Sequence, residues 1–226
     1  MRLSLYRRHF ILATLALTAV GVSNAADSSA AATAKAAAPQ GSKLILVVGD
    51  SLSAEYGLAR GSGWVALLEQ QLKAEKLAVK VVNASISGDT TSGGAARLAP
   101  LLAQHKPSHV VIELGANDAL RGLPVKMTED NLTKMTQAAQ KSGAKVLLVG
   151  MQLPPNYGAD FGARFAGVFA TVAKANKAAL VPFMLKGVAD IPNPLELFQA
   201  DRVHPRAEAH PIILANIWPE LKKILK

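Results

Sequence analysis

The chain has 226 residues, half of them hydrophobic and 5% aromatic, with 25 Lys and Arg against 16 Asp and Glu for a formal charge of +9. That length is ample for one α/β domain with a sizeable core. With no cysteine, disulfides, thiolate metal ligands, a cysteine nucleophile and a lipid-anchor cysteine are excluded; the basic excess is scattered without interleaved aromatics, which reads as a solvated surface with at most peripheral membrane contact and no nucleic-acid interface.

Residues 1–25 read as a secretory signal peptide. Arg2, Arg7 and Arg8 precede an apolar run from Phe10 to Val22, and Ser23-Asn24-Ala25 suits the cleavage site. The run is short for a membrane span. Arg7-Arg8 also fits a twin-arginine export signal, and either route implies a periplasmic or secreted mature chain. Residues 26–42 are rich in Ala and Ser and lack an apolar stripe, so they are predicted to form a disordered linker. The folded domain is then 43–226.

Leu44–Val48 is an apolar run that stops at Gly49-Asp50-Ser51, the signature of a buried parallel strand delivering a polar turn. A helix is predicted after Ser62, its N-cap, with Trp64, Leu67, Leu68 and Leu72 on one face. Val79–Val82 is the second strand, ending in the small-residue loop 83–89. Thr90–His105 reads as a helix that Pro100 is expected to break. His109–Leu114 is the third strand and runs into Gly115-Ala116-Asn117-Asp118. Thr128 is predicted to cap a helix with Glu129 and Asp130 in its first turn, and Gly143 to stop it. Lys145–Gly150 is the fourth strand. After the turn-rich Pro154–Gly158 comes a helix to about Asn176 and a short strand at Leu180-Val181. Residues 186–206 are irregular. The last helix places Ile213, Ile217, Leu221 and Ile224 on one stripe, with a kink expected at Pro219. Strand and helix alternate throughout, which predicts a doubly wound parallel sheet of about five strands with helices on both faces.

Three strand-terminal loops, around Ser51, Gly88 and Asn117, open at one edge of such a sheet, where ligands bind. Each is an ordinary turn sequence when taken alone. A serine nucleophile needs a base. His9 leaves with the signal peptide, and His105 and His109 read as surface residues at element ends. His210 reads as a helix-surface histidine. His204 is the better candidate, because Asp201-x-x-His204 lets one turn bring a carboxylate to the imidazole. The Ser51 and Gly88 N–H groups and the Asn117 amide are candidate oxyanion donors. Asp50 and Asp118 read as loop-bonding residues.

Gly49-Asp50-Ser51-Leu52, Gly88, Gly115-Ala116-Asn117-Asp118 and Asp201-Arg202-Val203-His204 together resemble the four blocks of the GDSL, or SGNH, hydrolases. Gly57–Trp64, Glu113–Gly122 and Gln152–Gly158 are similar to the bacterial subgroup with acyl-CoA thioesterase, lysophospholipase and arylesterase activity. The resemblance implies a three-layer flavodoxin-like fold and a serine esterase that uses no metal or cofactor. Ser51 would be nucleophile, His204 base and Asp201 its orienter. Ser51, Gly88 and Asn117 would form the oxyanion hole. Leu120, Pro155, Tyr157 and Gly158 are assigned to substrate, and Arg121 to the groove beside them. Ala116 departs from the subgroup, which commonly has Gly there, and so do Arg206 and Pro219. The expected partner is a small ester or lysolipid substrate, and the enzyme is expected to be a monomer. Two rival readings are a carbohydrate O-deacetylase of the same family and a non-catalytic module holding an anion on the same loops.

Overall fold

The computed structural model describes residues 43–226. The signal peptide and linker expected above lie outside the described residues. Five strands form one parallel sheet: β1 (Lys43–Gly49), β2 (Val79–Asn83), β3 (His109–Glu113), β4 (Lys145–Val149) and β5 (Ala179–Val181), in the order β2-β1-β3-β4-β5. Ile45 pairs with Val81 on one side and His109 on the other, so β1 and β3 are neighbours although β2 lies between them in sequence. The winding direction therefore reverses between β1 and β3. Ligands in open α/β sheets bind beyond the carboxyl ends of strands at such a reversal, and Ser51 and Asn117 follow those two strands.

The apolar runs explain the layers. Ile45–Val48 and Val110–Ile112 are fully buried, as strands covered on both faces must be. Edge strand β2 is only half-buried. Helices α1 (Trp64–Ala74) and α6 (His210–Leu225) pack together on one side. The other side carries α2 (Thr91–His105), α4 (Val125–Lys141) and α5 (Ala159–Asn176), which touch in sequence. Between β3 and α4 the Asn117 segment winds into a five-residue helix, α3 (Ala116–Leu120), where sequence suggested only a loop.

Several local expectations change. Ser62 does not cap α1; its hydroxyl donates to the Ala59 carbonyl instead. The N–H groups entering that helix go to distant partners, with Gly61 and Gly63 donating to the Glu55 carboxylate and Trp64 to His210 Nδ1. Thr90 does cap α2 through a bond from the Gly93 N–H, and the helix runs through Pro100 without a break. α4 begins after Pro124, four residues earlier than expected, so Thr128 lies buried within it and faces Asp118. α6 likewise runs unbroken through Pro219. No helix among the described residues is long and apolar enough to cross a membrane.

Candidate active site

The turn after β1 is tight. Ser53 and Ala54 N–H groups both donate back to the Asp50 carbonyl, and Leu52 N–H donates to Asp50 Oδ1 at 3.0 Å. This raises Ser51 at the carboxyl edge of the sheet, half-buried. The Ser51 hydroxyl meets His204 Nε2 at 2.9 Å, across 153 residues of chain. His204 Nδ1 meets Asp201 Oδ2 at 2.6 Å. Asp201 Oδ1 accepts the N–H groups of Val203 and His204, at 3.0 and 3.1 Å. The Val203 N–H, then the imidazole, hold the Asp201 carboxyl down at about 2. The Tyr56 ring packs tilted against His204 with centroids 4.4 Å apart, which confines the imidazole from the side.

The three groups that sequence assigned to nucleophile, base and orienter are thus in one hydrogen-bonded line. The candidate oxyanion donors divide. Gly88 sits at φ +78°, which its lack of a side chain permits, and its carbonyl accepts the Arg121 guanidinium at 2.7 Å. Among the described residues the N–H groups of Ser51 and Gly88 have no hydrogen-bond partner. Asn117 differs: its amide donates to Asp50 Oδ2 at 3.0 Å and to the Asp89 carbonyl at 2.9 Å, so both its protons are committed. An oxyanion bound there has to draw one away.

Leu120 ends α3 and is 43% exposed on the rim. Pro155 and Tyr157 form a 3₁₀ turn closed by Gly158. Pro155 and Gly158, with Gln152, Leu153, Gly162 and Ala166, line a cavity of about 320 Å³. A second cavity of about 350 Å³ lies behind the His204 loop, between Gly57–Ala59 and Phe198–Ala200. Neither is lined by Ser51 or His204. Among the described residues no group of three or more His, Cys, Asp or Glu side chains is placed to hold a metal ion.

Two histidines read as surface residues are buried. His109 bonds Ser108 and the Ile224 carbonyl, and His210 takes the Trp64 N–H. Burial pushes both imidazoles below their ordinary range. Sequence reasoning also passed over Glu113, which is buried beneath the Ser51 turn, and Gln199, whose amide bridges the Tyr56 and Pro205 carbonyls.

Residues 47–212 match the model of the GDSL-like Lipase/Acylhydrolase family. The chain belongs to that family. This acylhydrolase is 52% identical to Esterase TesA of Pseudomonas aeruginosa over 80% of its own length and 89% of the relative's. It is 39% identical to Thioesterase 1/protease 1/lysophospholipase L1 of Escherichia coli K12, over 80% of this chain and 84% of that one. Its fold matches the esterase EstA from Pseudoalteromonas, solved inhibited by monoethylphosphonate, with TM-score 0.76 and 40% identity over 81% of this chain and 98% of that one. The three-layer SGNH hydrolase fold is therefore the fold of this chain, and the acylhydrolase acts on ester bonds.

Proposed function

We propose that this acylhydrolase is an exported serine esterase that hydrolyses carboxylic esters and thioesters through an acyl-enzyme on Ser51. The observation that carries the reading is the Ser51–His204–Asp201 line, with bonds of 2.9 and 2.6 Å. His204 Nε2 takes the Ser51 proton as Oγ attacks the acyl carbonyl, and Asp201 holds the tautomer and stabilises the imidazolium. The tetrahedral oxyanion lies against the Ser51 and Gly88 N–H groups, whose hydrogens are open to receive it, and the Asn117 amide turns from the Asp89 carbonyl to join them. The imidazolium protonates the departing alcohol or thiol. Water, activated by the same imidazole, then releases the acid and restores Ser51.

The substrate groove runs past Leu120 toward the Pro155–Gly158 turn, and the cavity there takes the acyl chain. The Escherichia coli relative is named for thioesterase and lysophospholipase activity, which supports thioesters and lysophospholipids as substrates here. Residues 1–25 carry the chain out of the cytoplasm, so lysolipids and external esters fit better than acyl-CoA as the natural substrates. Hydrolysis of acetyl to palmitoyl aryl esters by the mature chain tests the reading. Activity extending to octanoyl and longer chains, lost in Ser51→Ala and reduced roughly 10²–10³-fold in Asn117→Ala, is expected. Activity confined to acetyl groups contradicts the acyl-cavity assignment, and a Ser51→Ala enzyme that still turns over contradicts the acyl-enzyme.

A further inference from the structure

Beneath the Ser51 turn lies a pair of carboxyls that the acyl-transfer steps leave unused. Glu113 ends β3 and Asp50 follows β1; they are 2% and 1% exposed. The register pairs Gly49 with Glu113, which brings the carboxyl under the turn. Glu113 Oε2 accepts the Ser53 hydroxyl at 2.6 Å and the Asp50 N–H at 3.3 Å. Ser53 Oγ in turn accepts the Trp64 indole N–H at 3.1 Å, and the Ser53 carbonyl accepts the Asn83 amide at 2.7 Å. The Asp50 carboxyl, which neighbours Glu113, binds the Leu52 N–H and the Asn117 amide. One buried group thus grips the residues on both sides of Ser51 and reaches the oxyanion amide through a single neighbour. The fit is close: a Cβ at Gly49 would come within 2.8 Å of both Glu113 Oε2 and Ser53 Oγ.

No cation among the described residues bonds Glu113. Arg97 from α2 pairs with Asp89 at 2.7 Å and also donates to the Ala84 and Gly49 carbonyls. His204 is close enough to Asp50 to act on that carboxyl. Toward Glu113 the facing groups are the Asp50 carboxyl, the Ser53 hydroxyl and, behind it, the Trp64 indole. A carboxylate removed from water beside a second carboxyl is disfavoured, and here only the Ser53 hydroxyl and the Asp50 N–H offset that cost. Burial, then Asp50, accordingly push Glu113 well above the ordinary carboxylate range.

We infer that Glu113 is a positioning residue: its carboxyl clamps the turn carrying Ser51, through Ser53 and the Asp50 N–H, and so fixes the direction of Ser51 Oγ toward His204 without touching substrate. A hydrocarbon of the same size would leave the Ser53 hydroxyl and Asp50 N–H without their acceptor in a dry interior. Displacing a reacting atom by about 1 Å costs on the order of 10²-fold in rate. The inference rests on Ser51 being the nucleophile.

Glu113→Gln, Glu113→Ala and Ser53→Ala test it, with active sites counted by fluorophosphonate labelling and kcat and KM measured on an aryl butyrate. Glu113→Gln keeps a neutral acceptor and a donor toward Asp50, so its kcat per labelled site should stay within about threefold of the parent. Glu113→Ala should lose about 100-fold in kcat per labelled site with KM little changed, and label more slowly by a similar factor. Ser53→Ala, which leaves the carboxyl in place, should lose about tenfold and supplies the answer if Glu113→Ala does not fold. Full turnover per labelled site in Glu113→Ala or Ser53→Ala, with only the folded fraction or Tm reduced, overturns the inference. So does Glu113→Gln falling as far as Glu113→Ala, since charge would then be what matters. A parent enzyme that fails to label at Ser51 sinks the nucleophile assignment instead, and is told apart by that.

Discussion

Ser51 stands on a floor of buried groups drawn from β1, β3 and α1, whereas His204 and Asp201 stand on an exposed loop that holds its own shape. Under Ser51 the bonds are long in sequence: Ser53 to Glu113, Trp64 to Ser53, Asn117 to Asp50. In the 198–206 loop they are short. Asp201 takes the N–H groups two and three residues on, Arg202 turns at φ +59°, and Phe198 bridges to Pro205. Besides the Ser51–His204 bond and the Tyr56 ring packed on His204, Gln199 joins this loop to the floor: its amide reaches the Tyr56 carbonyl at 2.9 Å, while its N–H donates to the His204 carbonyl at 2.8 Å within the loop. The floor fixes Ser51, the proposed nucleophile, as part of the core. The loop carries His204, the proposed proton acceptor, with little core of its own, so function and stability should separate there and coincide beneath Ser51.

Asp201→Asn gives the largest expected separation. The amide cannot hold the required tautomer, and kcat should fall roughly 10³–10⁴-fold. Because Asp201 is exposed, thermal unfolding of the same protein should coincide with that of the parent; a large drop in Tm would tie the loop to the core. Gln199→Ala should come next, with about a tenfold loss in kcat from a looser imidazole and a KM near that of the parent. An unchanged kcat would leave the loop holding itself.

The smallest effect sharpens the other side of the comparison. Burial depresses His210 below its ordinary 6.5. Above pH 6.5 the folded and unfolded chains both carry it neutral, and nothing is lost. As the pH falls through 6.5 the unfolded chain takes up a proton that the folded chain refuses, so stability falls. His210→Gln removes that loss while keeping an acceptor for the Trp64 N–H. Its urea midpoint should therefore change less between pH 7 and 5 than the parent's. Asp50, raised to about 6 chiefly by burial, acts in the opposite sense: its contribution is present at low pH and lost as the pH rises through 6. The informative quantity is hence variant against parent at each pH. Parallel curves would contradict a neutral, buried His210.

What was legible in the sequence follows the same division. The sheet could be read because Ile45–Val48 and Val110–Ile112 are covered on both faces and so remain apolar without interruption. Asp201-x-x-His204 could be read because its bonds span three residues. Glu113 could not, because its partners lie 60 and 63 residues away and a lone acid at the end of an apolar strand carries no periodic signal. His109 and His210 were misjudged for a related reason: their partners come from α6 and α1, and a histidine at an element boundary shows nothing of what packs over it. Thr128 looked like a helix cap because Glu129 and Asp130 follow it. Pro124 is itself the cap residue, at φ −58° and ψ 130°, so the helix starts at Val125 and Thr128 turns inward.

The most direct test of the account is the mass of the protein, and of its peptides, after exposure to a fluorophosphonate. The account predicts one adduct per chain, on Ser51, absent in Ser51→Ala and formed at least about 10³-fold more slowly in His204→Ala. An adduct on another residue, or labelling of Ser51 at an undiminished rate without His204, would contradict it.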